Sequence, residues 1–313
     1  MATATTTALL SLALALDSGV LPAQTAYKYK DANGQWVFTD SAPPAAQRNE
    51  STSTFTLAHE DGSLNLTIER ADHQGVTDFT AVNACLCVAT FRLTINASDD
   101  PRIPSGAEYY KVLRPRSREL LITVANAGRG KSSLRYRWMA APGAPDAEHH
   151  PDRPYRAPFA IGSTFVISQA YPSTFTHTTP DSRYAVDIAL PDGTPVYAAR
   201  EGTVIDARHD KFLGGVSPVM LDQANQVTIL HADGTIGLYG HLHWDSIRVH
   251  IGEHVGRGQY IANSGSTGFS SGPHLHFAVI RNDGMTVLSV PIVFAGPSGL
   301  PVTPETHKEL TAY

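Results

Sequence analysis

Short runs in which hydrophobic and polar residues alternate make up much of the first half of the chain. Side chains at positions i and i+2 of an extended strand point to the same face, so alternation over about four to eight residues predicts a strand with one buried face. Threonine, valine and isoleucine are frequent in these runs, and clusters of turn-forming residues separate them. The pattern predicts strands at residues 53–57, 64–68, 89–95, 120–124 and 134–138.

The same pattern continues through residues 158–295, where turn pairs separate short strands. Three of these pairs are Glu201-Gly202, Asp233-Gly234 and Ile251-Gly252. No amphipathic helix longer than a turn or two is predicted in this region. We therefore predict an all-β protein, with a small β-sandwich accessory domain at residues 51–140 and a compact antiparallel β-sheet domain at residues 158–295.

Proline marks the predicted boundary between these two domains. Proline removes a backbone donor and stiffens the chain, and it recurs through residues 141–157. We predict a semi-rigid linker there. Residues 296–313 are expected to be a C-terminal tail.

The N-terminal segment from Tyr27 to Pro44 has the pattern of a β-hairpin. Aromatic-rich runs flank Asn33-Gly34, a pair typical of two-residue hairpin turns. We therefore predict a hairpin module at residues 24–50. Residues 27–44 resemble a short N-terminal module of bacterial envelope proteins, which implies a location rather than an activity.

The first residues have the apolar character of an export signal. The run Ala8–Leu16 is too short to cross a bilayer, which takes about 20 residues, but it suits the core of a secretory signal peptide. The positive charges that usually precede such a core are missing, and a simple Ala/Thr leader is the alternative. We predict a signal peptide at residues 1–23 and an exported protein, in the periplasm, in the cell envelope or secreted.

Composition excludes several classes of function. The chain has 313 residues, a formal net charge of -5 and no run of lysine or arginine, so nucleic acid is not an expected partner. No membrane span is expected, and the oligomeric state stays open. The two cysteines, Cys85 and Cys87, are either a strained bridge or a pair of buried thiols, and neither alternative implies a zinc ribbon.

Histidines are concentrated in the second half of the chain. Nine of the 14 lie between His177 and His276. In the segment His274-Leu275-His276, both imidazoles would share one strand face, about 6–7 Å apart by strand rise. Such a pair can divide the work, one binding a metal while the other handles a proton, although His-x-His alone is a weak pattern.

A series of short motifs follows in order along the second half of the chain. They are Val186-Asp187-Ile188-Ala189, Gly193-Thr194-Pro195-Val196, Gly202-Thr203-Val204, Tyr239-x-His241-Leu242, Gly265-Ser266-Thr267-Gly268 and Ser271-Gly272-Pro273-His274-Leu275-His276-Phe277. Through these motifs, residues 160–292 resemble the lysostaphin-type (LytM-type) zinc metallopeptidases, which cleave peptide cross-links of bacterial cell walls. The resemblance implies that family's fold, one Zn²⁺ per chain and a peptidoglycan peptide as substrate.

The resemblance also implies roles for individual residues. Asp187 and His276 match zinc ligands of the family. His241 and His274 match the catalytic histidines that handle the proton and the developing oxyanion. Tyr171 has a spacing like that of a family tyrosine that stabilises the oxyanion.

The chain departs from the family pattern at two positions. The usual first histidine of His-x-Gly-x-Asp is Arg183 here, and a guanidinium cannot bind zinc. We predict that His177, ten residues before Asp187, loops back to supply the third ligand. Ala278 stands where the family often has glutamate, so the surroundings of His276 should differ from the usual ones.

Three functions follow from these patterns. The first is a zinc endopeptidase that acts on peptidoglycan stem peptides or cross-bridges. The second is a catalytically inactive relative that regulates another cell-wall hydrolase, which the loss of histidine at position 183 would suit. The third is a lipoyl- or biotin-carrier module, but the context of Lys211 does not match the modified lysine of such modules.

Overall fold

The computed structural model describes residues 25–30, 36–39, 53–56, 64–73, 75–98, 100–125, 134–173 and 175–313, with side chains from residue 64 onwards. Within this part of the chain, regular structure is almost entirely β, which confirms the predicted all-β class. The strands are β1 (Thr25–Lys30), β2 (Trp36–Thr39), β3 (Ser53–Thr56), β4 (Leu66–His73), β5 (Val76–Asn83), β6 (Ala89–Ala97), β7 (Ala107–Leu113), β8 (Ser117–Ala125), β9 (Arg135–Pro142), β10 (Thr164–Gln169), β11 (Val186–Ile188), β12 (Pro195–Tyr197), β13 (Gly202–Arg208), β14 (Gly214–Gly215), β15 (Gln226–Leu230), β16 (Ile236–Gly240), β17 (His254–Val255), β18 (Tyr260–Asn263), β19 (Gly268–Phe269), β20 (Leu275–Asp283), β21 (Thr286–Ser289), β22 (Phe294–Ala295), β23 (Pro301–Val302) and β24 (Glu309–Thr311).

Helical structure is limited to two short 3-10 turns among the described residues, Pro218–Met220 and Pro297–Gly299. No helix in the described ranges has the length and apolar character needed to cross a membrane. The chain divides into two compact units, Met1–His59 and Glu60–Tyr313.

The first unit contains a three-stranded antiparallel sheet in the order β2-β1-β3. The pairing of β1 with β2 has the direction expected of the predicted hairpin, with Lys30 opposite Trp36. The predicted turn Asn33-Gly34 and the predicted signal peptide at 1–23 lie outside the described residues. The alternation at residues 53–57 predicts a sandwich strand, but the observed strand β3 pairs with β1. An alternating pattern identifies a strand without specifying its neighbour.

The second unit begins with two three-stranded sheets, β4-β5-β8 and β7-β6-β9. Their inner faces share one apolar cluster, to which both sheets contribute. Phe79 of β5 and Phe91 and Leu93 of β6 are fully buried in it. Two antiparallel sheets around a common core are the arrangement of a β-sandwich.

A nine-stranded sheet forms the larger part of the second unit. Its strand order is β17-β13-β15-β16-β20-β11-β10-β24, with β21 pairing with β20, and its pairs are antiparallel. Along β20, Leu275, Phe277 and Val279 are buried in the main apolar cluster. The alternate residues of β20 therefore point to the opposite face, and this face carries His276.

The proline-rich segment and the C-terminal segment both pack against this sheet. Tyr155, within the predicted linker 141–157, is 1% exposed and belongs to the main cluster. Strand β24, within the predicted tail 296–313, pairs with β10 and buries Leu310. Both segments are therefore packed against the sheet.

A third apolar cluster joins the sandwich to the face of the sheet that carries His276. Cys85 and Cys87, which form a disulfide, pack there with Ala185, Ala278 and neighbouring isoleucines. Asn282 Nδ2 extends the contact by donating hydrogen bonds to Thr90 Oγ1 and Gly143 O, both at 2.9 Å. Ala278 is therefore part of the contact between sandwich and sheet.

Candidate active site

Strand β20 carries the centre of the site. Its register places His276 directly opposite Asp187 on β11 and opposite Gly240 on β16. Side chains of directly opposite residues in an antiparallel pair lie next to each other on one face. His276 Nδ1 lies 2.8 Å from Asp187 Oδ1.

His177 reaches the same carboxylate from outside the sheet. Its Nε2 lies 3.1 Å from Asp187 Oδ2, and its ring centroid lies 5.1 Å from that of His276. The His177 side chain is 4% exposed, and no hydrogen-bond partner for its Nδ1 is found among the described residues.

The loop between His177 and β11 is held in place by hydrogen bonds. Thr179 Oγ1 lies 2.7 Å from Ser182 Oγ, which closes a turn. Ser289, which ends β21, joins this turn to the sheet because its backbone N–H and its hydroxyl both donate to Pro180 O. The turn folds the chain back and brings His177 beside Asp187, ten residues later.

Arg183 occupies a different position on this loop. Its guanidinium carbon lies 5.9 Å from the centre of the Tyr171 ring, and the Tyr171 ring lies 4.7 Å from that of Tyr184. Tyr171 is 43% exposed. Among the described residues, the recorded ring and cation contacts of Tyr171 are with these two side chains and not with Asp187 or the site histidines.

Asp187 is held in its ionised form. Burial opposes ionisation, but hydrogen bonds with His177 and His276 keep the pKa of the carboxyl well below its ordinary range. The two oxygens face one imidazole each, Oδ2 towards His177 and Oδ1 towards His276. The site therefore contains a charged carboxylate between two imidazole rings.

His241 follows the last residue of β16 and has a left-handed backbone, with φ +59°. Such a conformation is uncommon for a residue other than glycine and persists where the surroundings impose it. The His241 ring lies 4.6 Å from that of His274 and 5.8 Å from that of His276. Its Nδ1 donates to Thr267 O at 2.7 Å, which leaves Nε2 as the acceptor nitrogen of the neutral ring.

The surroundings of His241 also keep it uncharged. Burial, together with the neighbouring His274 and His276, lowers the pKa of His241 to about 4. At neutral pH the ring therefore has a free lone pair, as a general base requires.

His274 completes the cluster from the start of β20. Its Nδ1 donates to Gly272 O at 2.8 Å, with Ser270 Oγ at 3.3 Å. Its Nε2 lies 3.9 Å from Asp187 Oδ1. Backbone carbonyls thus orient both His241 and His274, and these contacts could not be found from the sequence spacing.

The donor atoms of His177, Asp187 and His276 all lie within 4.8 Å of one another. Two imidazoles and one carboxylate are a ligand set that zinc uses in hydrolytic sites. All three side chains are largely buried, each less than one-fifth exposed. The residues present fit a metal ion of this kind.

The other histidines of this domain lie apart from the metal-binding set. His209, His250 and His254 are exposed. His231 is 3% exposed, and its Nδ1 donates to Glu201 O at 2.8 Å. His243 Nε2 lies 3.8 Å from Oδ2 of the exposed Asp192.

A groove with a volume of about 510 Å³ runs beside the histidines. Thr267 and Gly272, whose carbonyls orient His241 and His274, line it. The fold and the site together define an all-β protein in which three residues that can hold a metal ion lie beside two further histidines.

Comparison with known proteins agrees with this description. The sequence profile of Peptidase family M23 matches residues 181–287, so the chain carries a Peptidase family M23 domain of the lysostaphin type. A second profile, a domain of unknown function (DUF4124), matches residues 9–54.

Curated relatives are similar over the region of the site. Peptidoglycan DD-endopeptidase ShyA of Vibrio cholerae is 39% identical over 94 residues, which are 30% of this chain and 19% of that protein. Lysostaphin of Staphylococcus simulans is 35% identical over 99 residues, 32% of this chain and 18% of that protein. The chain thus matches about one-fifth of the length of these relatives.

A solved structure is similar as well. The catalytic domain of lysostaphin from Staphylococcus simulans is 30% identical, with a TM-score of 0.30, over 41% of this chain and 87% of that domain.

Proposed function

We propose that this protein is a zinc-dependent endopeptidase that hydrolyses peptide bonds in the stem peptides or cross-bridges of bacterial peptidoglycan. The observation that carries the proposal is the convergence of three metal-binding side chains, His177, Asp187 and His276, beside His241 and His274. The substrate class is supported by relatives whose names describe them as peptidoglycan endopeptidases.

In this proposal His177, Asp187 and His276 hold one zinc ion. Bound there, zinc supplies a Lewis acid that polarises a carbonyl and lowers the pKa of water towards about 7. The buried Asp187 carboxylate offsets part of the ion's charge, and the β11–β20 pairing keeps it beside His276. Arg183 has no part in metal binding, since its guanidinium lies over the Tyr171 ring.

His241 is proposed as the general base and acid. Its Nε2 takes a proton from the attacking water and returns it to the amine nitrogen when the peptide C–N bond breaks. The hydrogen bond from Nδ1 to Thr267 O keeps Nε2 in the acceptor form, and the lowered pKa of His241 keeps the ring neutral beforehand. No other residue has to change its protonation state for this step.

His274 is proposed to stabilise the negative charge that develops on the carbonyl oxygen. In its protonated form it donates from Nε2, because its Nδ1 is bonded to Gly272 O. Its ring lies 4.6 Å from that of His241, so both groups can serve the same carbonyl. Tyr171, which packs against Tyr184 and Arg183, takes no part in these proton transfers.

Peptidoglycan lies outside the cytoplasmic membrane, so this function requires export. The apolar segment at residues 8–16 is proposed as the core of the export signal.

The test is the zinc content of the purified full chain, together with peptide release from peptidoglycan. We expect one zinc per chain in wild type and Arg183→Ala, and little in His177→Ala. His209→Ala removes an exposed histidine of the same domain and serves as the matched control, with full zinc expected. His241→Ala should keep its zinc and lose most cleavage, since general acid–base catalysis is worth about 10²–10⁴-fold.

Two results would contradict the proposal. Wild type without zinc and without cleavage would favour the inactive regulator of another wall hydrolase. Full zinc in His177→Ala would show that another side chain is the third ligand.

A further inference from the structure

The groove beside the site has an uneven distribution of charge. Its lining residues are Asp192, Phe212, Gly214, Gly215, His243, Trp244, Ser266, Thr267, Ser270, Ser271, Gly272 and Pro273. Asp192 is the one aspartate, glutamate, lysine or arginine in this lining. The electrostatic preference of the groove is therefore for a positively charged ligand group.

Asp192 is held at the groove by its backbone. Gly193 N donates to Ser264 O at 2.8 Å, and Ser264 Oγ and Thr194 Oγ1 both donate to Pro191 O at 2.7 Å. Gly193 has φ +81°, a conformation that glycine adopts without strain. The residues on both sides of Asp192 are thus fixed to the sheet, and its side chain cannot drift away with the loop.

The Asp192 carboxylate keeps its hydrogen-bonding capacity for a ligand. Its side chain is 54% exposed, and His243 Nε2 lies 3.8 Å from Asp192 Oδ2. That distance is longer than the length of a hydrogen bond. His243 Nδ1 instead donates to Trp244 O at 2.6 Å, which fixes the ring.

The neighbouring side chains suit an amine on an aliphatic stem. Trp244 and Phe212 line the same groove, and aromatic faces attract ammonium groups. Hydroxyl groups line the groove as well, among them those of Ser266 and Ser270, whose Oγ atoms lie 3.0 Å apart. No lysine or arginine lines the groove, so none of these permanent cations would repel an ammonium ion there.

We propose that Asp192 is a specificity-determining residue that binds a primary ammonium group of the substrate peptide in the groove. The inference rests on the proposed endopeptidase function and adds the chemistry of the peptide that the site prefers. The ammonium group comes either from an amino-acid side chain or from the free amino end of a peptide strand. Both sources present the same –NH₃⁺ chemistry to Asp192.

The test compares kcat/KM of the full-length protein for four forms of one cross-linked peptide. The forms have both amines free, the side-chain amine acetylated, the α-amine acetylated, or both acetylated. Wild type is expected to prefer the free-amine peptide about two- to fivefold, the range for a partly exposed ion pair, and less at high salt. The acetylation that removes this preference identifies the source.

Asp192→Asn keeps the shape of the side chain and removes its charge. It should bring the ratio of kcat/KM for free and acetylated peptides close to one. Asp222→Asn removes the same charge from an exposed aspartate that does not line the groove, so its ratio should equal that of wild type. Equal kcat/KM for all four peptides in wild type, or an unchanged ratio in Asp192→Asn, would overturn the inference.

Failure of the proposed function gives a different result. If wild type cleaves none of the peptides, the endopeptidase proposal fails, and equilibrium binding of the free-amine peptide then decides about Asp192. Binding that is about two- to fivefold weaker in Asp192→Asn than in wild type supports the ammonium site, whereas equal binding overturns it.

Discussion

Ala278 offers a direct test of how the sandwich packs on the sheet. It is 2% exposed and lies in the apolar cluster that contains Cys85 and Cys87. The change Ala278→Glu introduces a carboxyl group at this buried position. In this protein the new carboxyl group would have to enter the contact between sandwich and sheet.

The cost can be worked out from the burial. A carboxyl group that cannot stay charged must take up a proton, and from an ordinary pKa of about 4.3 this costs about 4 kcal/mol at pH 7, at about 1.36 kcal/mol per pH unit. Overpacking adds about 1–3 kcal/mol. At pH 5 the protonation cost falls to about 1 kcal/mol. We therefore expect Ala278→Glu to lower the free energy of unfolding by about 5 kcal/mol or more at pH 7, and by about 3 kcal/mol less than that at pH 5.

The assay is urea unfolding of the full chain, followed by circular dichroism, at both pH values. Ala278→Gln is the matched control, because it has the same size and no titrating group. Its loss of stability should be the same at pH 5 and pH 7. If Ala278→Glu is as stable as wild type, or if its loss does not change with pH, position 278 is not enclosed by the sandwich as described.

Two further predictions concern buried polar groups. Burial lowers the pKa of His231 in the folded chain to about 4. The unfolded chain takes up a proton on this residue near pH 6.5, whereas the folded chain keeps the ring neutral until about pH 4. Stability is therefore lost as the pH falls through this window. Wild type should lose about 3 kcal/mol more than His231→Asn between pH 6.5 and pH 4 in urea unfolding, and equal slopes of the two pH curves would contradict this. Asn282→Ala removes two buried hydrogen bonds and should lower the free energy of unfolding by about 2–3 kcal/mol. In wild type the Asn263 side chain bonds the exposed Tyr260, so Asn263→Ala should lower it by less than about 1 kcal/mol. Equal losses in the two asparagine variants would contradict the role of Asn282.

Local patterns were sufficient for the fold class and for part of the site. A period of two predicts strands whatever their partners are, because it depends only on the geometry of one extended chain. The same period predicts that His274 and His276 share one face of a strand, and in the structure both rings lie beside that of His241. The family resemblance was carried by short motifs with fixed internal spacing, and the profile match at residues 181–287 agrees with it.

Pairing between distant segments could not be predicted in this way. Strand β3 was assigned to the sandwich but pairs with β1, since alternation identifies a strand and not its neighbour. The linker and tail boundaries were drawn from composition, whereas Tyr155 and Leu310 are buried in the main core. For the cysteines, the sequence left two alternatives, and the bridge is present between Cα atoms 5.2 Å apart.

Several of the strands and the residue types available for a metal site follow from the sequence alone, because each depends on neighbours within a few positions. Which of these residues meet depends on the tertiary structure. Asp187 and His276 are 89 residues apart in the chain and 2.8 Å apart in space, and a hydrogen-bonded loop brings His177 to the same carboxylate. The structure also placed Asp192 in the groove and Ala278 beneath the sandwich, since both positions result from contacts between segments far apart in the sequence.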